Sequence, residues 1–375
     1  MLGLFLSMGR VLRVALIYVI SFDPLYRQST DSPQLLPEYE VFFTMILLRK
    51  HSIFLMLVLI LGTVAANAQS SAATCYDANS GRDLRLWDDQ APGAVGTNPC
   101  TDIPFLRIFR PEGRVPVTDI GIVVIPGGGY NELIDEKEQT PVGQYFANKL
   151  GITTFVLYYR LVQTNGTYRY PVPMWDGQRA LRYVRYNAAS FGINPDHIGV
   201  FGFSAGGHLA STIAIHFATN FDLPSQDNID QTDARPDFLG LGYPVISMDP
   251  DQFASSSSLD HLLHGYTGTQ RSQLEEYLSG QKQVSSTTPP TYIFESFDDK
   301  VVDSQNSSLF YEALVTAKVP SEAHIFQKGT HGAGLATTEP YEYVWPELFH
   351  NWLSERGFIP APWKLVPEQP DPWQS

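Results

Sequence analysis

Ser204 sits in the stretch Gly202-Phe203-Ser204-Ala205-Gly206, followed at once by Gly207 and His208. A serine hydroxyl is a weak nucleophile until a base takes its proton, and a sharp turn shows its oxygen to base and substrate together. Glycines two positions to either side let the backbone pass close without a Cβ clash. The same pattern also describes a glycine-rich turn with a capping serine, so a nucleophile needs partners elsewhere. A base is available in Lys328-Gly329-Thr330-His331-Gly332-Ala333-Gly334, where glycines flank His331 on a loop that can swing it over the serine. An acid to fix the histidine's tautomer is offered by Ser296-Phe297-Asp298-Asp299-Lys300-Val301-Val302. Asp303 is more simply a helix cap. Of the other two, Asp299 is favoured, with Asp298 left as a loop residue bonding local backbone. Finally, Pro126-Gly127-Gly128-Gly129-Tyr130 can turn backbone N–H groups of Gly128 and Gly129 toward a developing oxyanion, with the N–H of Ala205 as the other donor. No Walker Lys-Ser/Thr or G-x-G-x-x-G follows this loop, which argues against a nucleotide.

Each of these stretches follows an apolar, β-prone run, and that is what positions them. The runs at 119–125, 197–201, 292–295 and 323–326 read as strands, as do 105–109, 153–159 and 238–246. Between them lie helical patterns: 140–150, with Thr140 as cap and Pro141 in the first turn, then 174–189, a helix after Ser204, and 304–317 capped by Asp303. Alternation of this length predicts an α/β protein, a mostly parallel central sheet with helices on both faces. A strand, G-x-S-x-G and a helix make a nucleophile elbow, and the chain order Ser204, Asp299, His331 is that of the α/β-hydrolase fold. The remaining histidines fit duller roles: His208 and His216 on the helix after the serine, His324 within a strand, His261 and His264 at most lining a pocket. The polar stretches 220–237 and 254–264 read as surface insertions near the site.

The chain has 375 residues and a formal net charge of −14. Only five of its Lys/Arg and four of its Asp/Glu precede residue 69, so the remainder is the acidic part at −15. Nucleic acid is excluded as a partner on that charge, while a neutral substrate is indifferent to it. Arg49, Lys50 and His51 precede the apolar run 53–64 and Ala66-Asn67-Ala68, so residues 45–68 read as a signal peptide cleaved between Ala68 and Gln69. Residues 1–44 would then be an N-terminal extension upstream of Met45, and an uncleaved membrane anchor is the alternative. Export, to the periplasm or outside, would leave no stable membrane partner. Cys75 and Cys100 are the only cysteines. In an oxidising compartment they would staple a loop segment at 69–104, ahead of a catalytic domain at 105–355 and a Pro-rich tail at 356–375.

At these motifs the chain resembles the secreted acetyl esterases and acetylxylan esterases of the α/β-hydrolase superfamily, relatives of the hormone-sensitive-lipase-like carboxylesterases. The resemblance runs from Leu86 to Trp352 and includes Leu86-Trp87 with Ala91-Pro92-Gly93, the glycine loop at 126–130, Tyr159-Arg160-Leu161, Asp176 to Ala180, Gly202 to His208, Arg235-Pro236-Asp237-Phe238, Tyr243 to Ile246, Asp298 to Val302 and Lys328 to Gly332. It departs where the family's HGGG histidine is Pro126. The resemblance implies a triad of Ser204, Asp299 and His331, an oxyanion hole from Gly128, Gly129 and Ala205, no metal and no organic cofactor. It also implies a small-molecule or polysaccharide ester as substrate, with Tyr130, Trp175 and Tyr243 as candidate sugar platforms, and Asp176 and Glu138 as structural acids. A prolyl-oligopeptidase-type peptidase lacks its repeated N-terminal blades here, a general lipase would want a larger apolar lid, and a metal-dependent deacetylase would need a His/Asp ligand cluster.

Overall fold

The computed structural model describes residues 75–112 and 115–359. The expectations for the extension, the signal peptide and its cleavage site, and for most of the Pro-rich tail, lie outside them. The unit containing the described residues spans Gln69–Ser375. Its centre is a sheet of eight strands: β1 (Asp83–Arg85), β2 (Phe105–Phe109), β3 (Gly121–Ile125), β4 (Thr153–Tyr158), β5 (Ile198–Phe203), β6 (Phe238–Gly242), β7 (Thr291–Ser296) and β8 (Ser321–Phe326), in the order β1-β2-β4-β3-β5-β6-β7-β8. The first two pairings, β1 with β2 and β2 with β4, are antiparallel and all the others parallel. The helices are α1 (Asp135–Glu138), α2 (Thr140–Leu150), α3 (Val172–Tyr186), α4 (Ala188–Phe191), α5 (Ser204–Ile215), α6 (Ser256–Leu262), α7 (Gly268–Leu278), α8 (Gly280–Gln283), α9 (Gln305–Thr316) and α10 (Trp345–Glu355).

The inner strands are buried along their whole length, as a sheet covered on both faces requires. Successive residues point to opposite faces. Val200 and Ile293 join an aliphatic core with Leu181 of α3, Leu209 and Ile213 of α5 and Leu314 of α9. Phe201, Phe203 and Phe294 enter an aromatic core with Phe146 of α2 and Trp345 and Phe349 of α10. This is the α/β-hydrolase architecture that the motif order predicts.

Several local expectations need correcting. Residues 69–104 are not only loop, because β1 adds a strand to the sheet edge, its Asp83 bound to Arg107 at 2.7 Å. β6 stops at Gly242 rather than running to 246, because Tyr243 takes a left-handed φ of 36° and its side chain turns toward the site. Thr140 lies inside α2 with Gln139 at its N-cap, since Pro141 suits the first turn in any case. Asp303 accepts the Gln305 N–H at 2.9 Å, although Ser304 holds the cap position. No residue of the 220–237 stretch lines the cavity that holds Ser204; its Asp227 and Asp230 bind Arg179 on α3 at 2.6 and 3.0 Å.

Candidate active site

Ser204 opens α5 directly at the end of β5, with φ at 51°, a left-handed value that only surrounding structure holds a serine in. The turn is tight enough to demand its glycines. A Cβ at Gly202 would run into the Gly206 carbonyl, and one at Gly206 into the carbonyls of Ile125 and Pro126. His331 Nε2 lies 2.9 Å from Ser204 Oγ, and its Nδ1 lies 2.7 Å from Asp299 Oδ2. The other oxygen of Asp299 accepts the N–H groups of Val301 and Val302 at 2.7 and 3.0 Å. With both oxygens engaged, the carboxylate is fixed and takes the proton-bearing Nδ1, so Nε2 remains as acceptor for the serine proton. Asp298 faces elsewhere: its Oδ1 accepts the Gly329 N–H at 3.0 Å and ties down the loop that carries His331.

Gly128 and Gly129 line a cavity of about 520 Å³ together with Ser204, His331, Leu133 and Ile134. Gly128 holds a φ of 125°, which frees the loop to fold back so that its carbonyl accepts the Asn131 and Glu132 N–H groups. Ala205 is buried in the first turn of α5, where backbone N–H groups have no intrahelical acceptor. His261 braces this loop from α6, its Nδ1 at 2.9 Å from the Gly129 carbonyl oxygen. Ser255, Ser257 and Ser258 at the start of α6 also line the cavity, so the 254–264 stretch does border the site.

The residue that sequence reasoning underrated is Glu138. It is wholly buried, accepts the Gly127 N–H at 2.6 Å and the Tyr243 hydroxyl at 2.8 Å, and lines the cavity. Tyr243 in turn accepts the Gly334 N–H at 2.9 Å, and its ring packs edge-on to His331 with centroids 5.0 Å apart. One carboxylate thereby joins the glycine loop to the histidine loop. Burial holds it above the usual carboxylate range. Glu295 and Glu342 lie beneath Asp299; burial raises Glu295 well above its ordinary value and pushes Glu342 up to about 7.

The three aromatic platforms are corrected by the same packing. Tyr130 is fully buried with its hydroxyl on His208 Nδ1, and Tyr243 is 1% exposed with its hydroxyl on Glu138. Trp175 donates to the Phe221 carbonyl at 2.8 Å and does not line the cavity. The rings of Tyr130 and Tyr243 are enclosed by protein, and Trp175 packs partly buried against the aliphatic core. His208 also bonds the Leu278 carbonyl, and burial lowers it to about 4, so it stays a neutral core residue. Cys75 and Cys100 are joined in a disulfide. Among the described residues no cluster of His, Cys, Asp or Glu is arranged to hold a metal, and no helix is long and apolar enough to cross a membrane.

The model of the BD-FAE family matches residues 106–314, which is more than half of the chain. The chain belongs to this family. The chain is 34% identical over 255 residues to an acetylxylan esterase of Xylanibacter ruminicola, covering 68% of this chain and 47% of that protein. It is 33% identical over 220 residues to endo-1,4-beta-xylanase B of Butyrivibrio fibrisolvens, covering 58% of this chain and 33% of that protein. The chain thus spans from a third to about half the length of these curated relatives. Among solved structures, an acetyl ester-xyloside bifunctional hydrolase from Caldicellulosiruptor lactoaceticus aligns at a TM-score of 0.66 and 38% identity, over 74% of this chain and 97% of that one. The expected kinship with acetyl esterases on the α/β-hydrolase fold therefore holds for this BD-FAE member.

Proposed function

We propose that the protein is a serine esterase that removes acetyl groups from acetylated carbohydrates through an acyl-enzyme, and that it acts after export and cleavage between Ala68 and Gln69. The observation that carries the chemistry is the unbroken line Ser204 Oγ–His331 Nε2 at 2.9 Å and His331 Nδ1–Asp299 at 2.7 Å. Relatives named for acetylxylan and acetyl ester-xyloside hydrolysis support the substrate class.

His331 takes the Ser204 proton as Oγ attacks the acetyl carbonyl. The tetrahedral oxyanion is met by the N–H of Ala205 and those of Gly128 and Gly129, each such donor contributing about 3 kcal/mol to the transition state. The sugar hydroxyl departs with the proton held by His331. Water then gives a proton to His331, attacks the acetyl-serine and releases acetate, restoring Ser204. The Asp299 carboxylate stabilises the imidazolium formed in each half.

A fluorophosphonate probe should label the protein and fail to label Ser204→Ala. Acetate release from acetylated xylan and from p-nitrophenyl acetate should fall by about 10⁴-fold or more in that variant. Hydrolysis of p-nitrophenyl acetate with no acetate from any sugar would place the protein among general short-chain carboxylesterases. Cleavage of a peptide without acetate release would make it a peptidase.

A further inference from the structure

Two further hollows adjoin the cavity at Ser204. Its wall residues Asn131, Glu132 and Leu133 also line a neighbouring hollow of about 280 Å³. That hollow shares Cys100, Thr101, Asn131 and Leu161 with a third, of about 570 Å³, which reaches Gln163, Thr164 and His264. The α6 region borders the first and the last of these hollows. Ser257 of α6 lines the first cavity, while Asp260, His261 and His264, just beyond the helix end, line the last. Spacings of three and four residues place Ser257, Asp260 and His261 on one face of the helix.

The far end is firmly built. Opposite α6, the wall at Cys100 and Thr101 is closed by the disulfide to Cys75 and by Asp102, which accepts the Tyr168 hydroxyl at 2.7 Å and the Asn98 N–H at 2.9 Å. The Gln163 side is a turn closed by its own N–H to the Thr167 carbonyl at 2.8 Å. Because the Gly129 carbonyl can only accept, Nδ1 of His261 carries a proton toward it. No lysine or arginine lines this far cavity, and its one carboxylate, Asp260, is already bound by Arg271 at 2.8 Å. Amides, hydroxyls and imidazoles without a cation suit a neutral polyol and offer nothing to a polyanion.

We propose that this cleft holds several rings of a neutral oligosaccharide, with the acetylated ring at Ser204 and its unacetylated neighbours lying past Asn131 toward Gln163 and His264. The assignment rests on the acetyl-sugar reading above and adds to it a preference for chain over monomer. The test compares kcat/KM on singly acetylated xylotriose and singly acetylated xylose for wild type, Gln163→Ala/His264→Ala and the cleft-filling Thr164→Trp. Wild type should favour the trimer by at least about tenfold, what one or two net hydrogen bonds contribute. Both variants should bring that ratio close to one, through KM for the trimer. A wild-type ratio near one, or a ratio unaltered in both variants, overturns the cleft assignment while leaving acetyl-sugar hydrolysis standing. Hydrolysis of p-nitrophenyl acetate with no acetate from either sugar overturns the acetyl-sugar reading itself, and the cleft assignment with it.

Discussion

On α3, Asp176 is fully buried against Arg160, with Nη2 at 2.6 Å from Oδ1 and the Arg160 N–H on the other oxygen at 2.9 Å. Arg160 goes on to the Pro92 carbonyl at 2.7 Å and packs over Trp87, so a charge pair pins Trp87 and Pro92 of the N-terminal segment to the domain. Around the serine, Glu138, Glu295 and Glu342 are as deeply buried, yet none of them forms an ion pair among the described residues. Their partners are N–H and O–H groups. A neutralised carboxylate is an anchor. One held only by neutral donors is raised by burial and takes up a proton more readily, so it is where pH will be felt.

The contrast can be broken at either end. Asp299→Asn should lower kcat by about 10⁴-fold with little change in melting temperature, because the wrong tautomer is selected while the geometry persists. Asp176→Asn should do the reverse: urea denaturation should show a loss of about 3–5 kcal/mol, the cost of leaving Arg160 buried without its partner, with kcat per folded molecule retained. Equal damage to activity from both changes would show that the two regions do not differ as argued.

Glu342 tests the pH side. Its pKa is raised in the folded protein, to about 7, so its protonated form stabilises the fold. That contribution is complete below the ordinary glutamate range and is lost as pH climbs from there through 7. Wild type should therefore lose on the order of 3 kcal/mol of stability between pH 4.5 and 8 through this group. Glu342→Gln should flatten that part of the profile in melting curves across the range. The smallest effect is expected at Glu138→Gln. The amide oxygen still accepts the Gly127 N–H, but the Tyr243 hydroxyl loses its acceptor, and kcat on p-nitrophenyl acetate should drop by about 10- to 50-fold with KM nearly constant. A change confined to KM would make Glu138 a wall of the pocket and nothing more.

How much of this was legible follows from distance along the chain. Gly202, Ser204 and Gly206 state a steric requirement within five residues, and the strands before the glycine loop and before Ser204 announce themselves by unbroken apolar runs. Ser204, Asp299 and His331 could be aligned because the fold dictates their order. The Glu138–Tyr243 bond spans 105 positions and leaves no local trace, so Glu138 read as structural and Tyr243 as a sugar platform. Residue type alone does not separate an aromatic that stacks on substrate from one like Tyr130, whose hydroxyl finds a buried histidine. β1 was missed because a three-residue edge strand is too short to show a period. The polar 220–237 stretch was misplaced because its acids answer arginines on α3, a pairing only the folded chain reveals.

Glu138 and Tyr243 stitch the backbone at Gly127 to the backbone at Gly334, and a stitch of this kind keeps two edges in register. Acyl transfer to serine and acyl transfer to water are near mirror images: one group leaves by the side on which the next arrives. A frame that does not relax between the two halves can serve both with the same set of atoms.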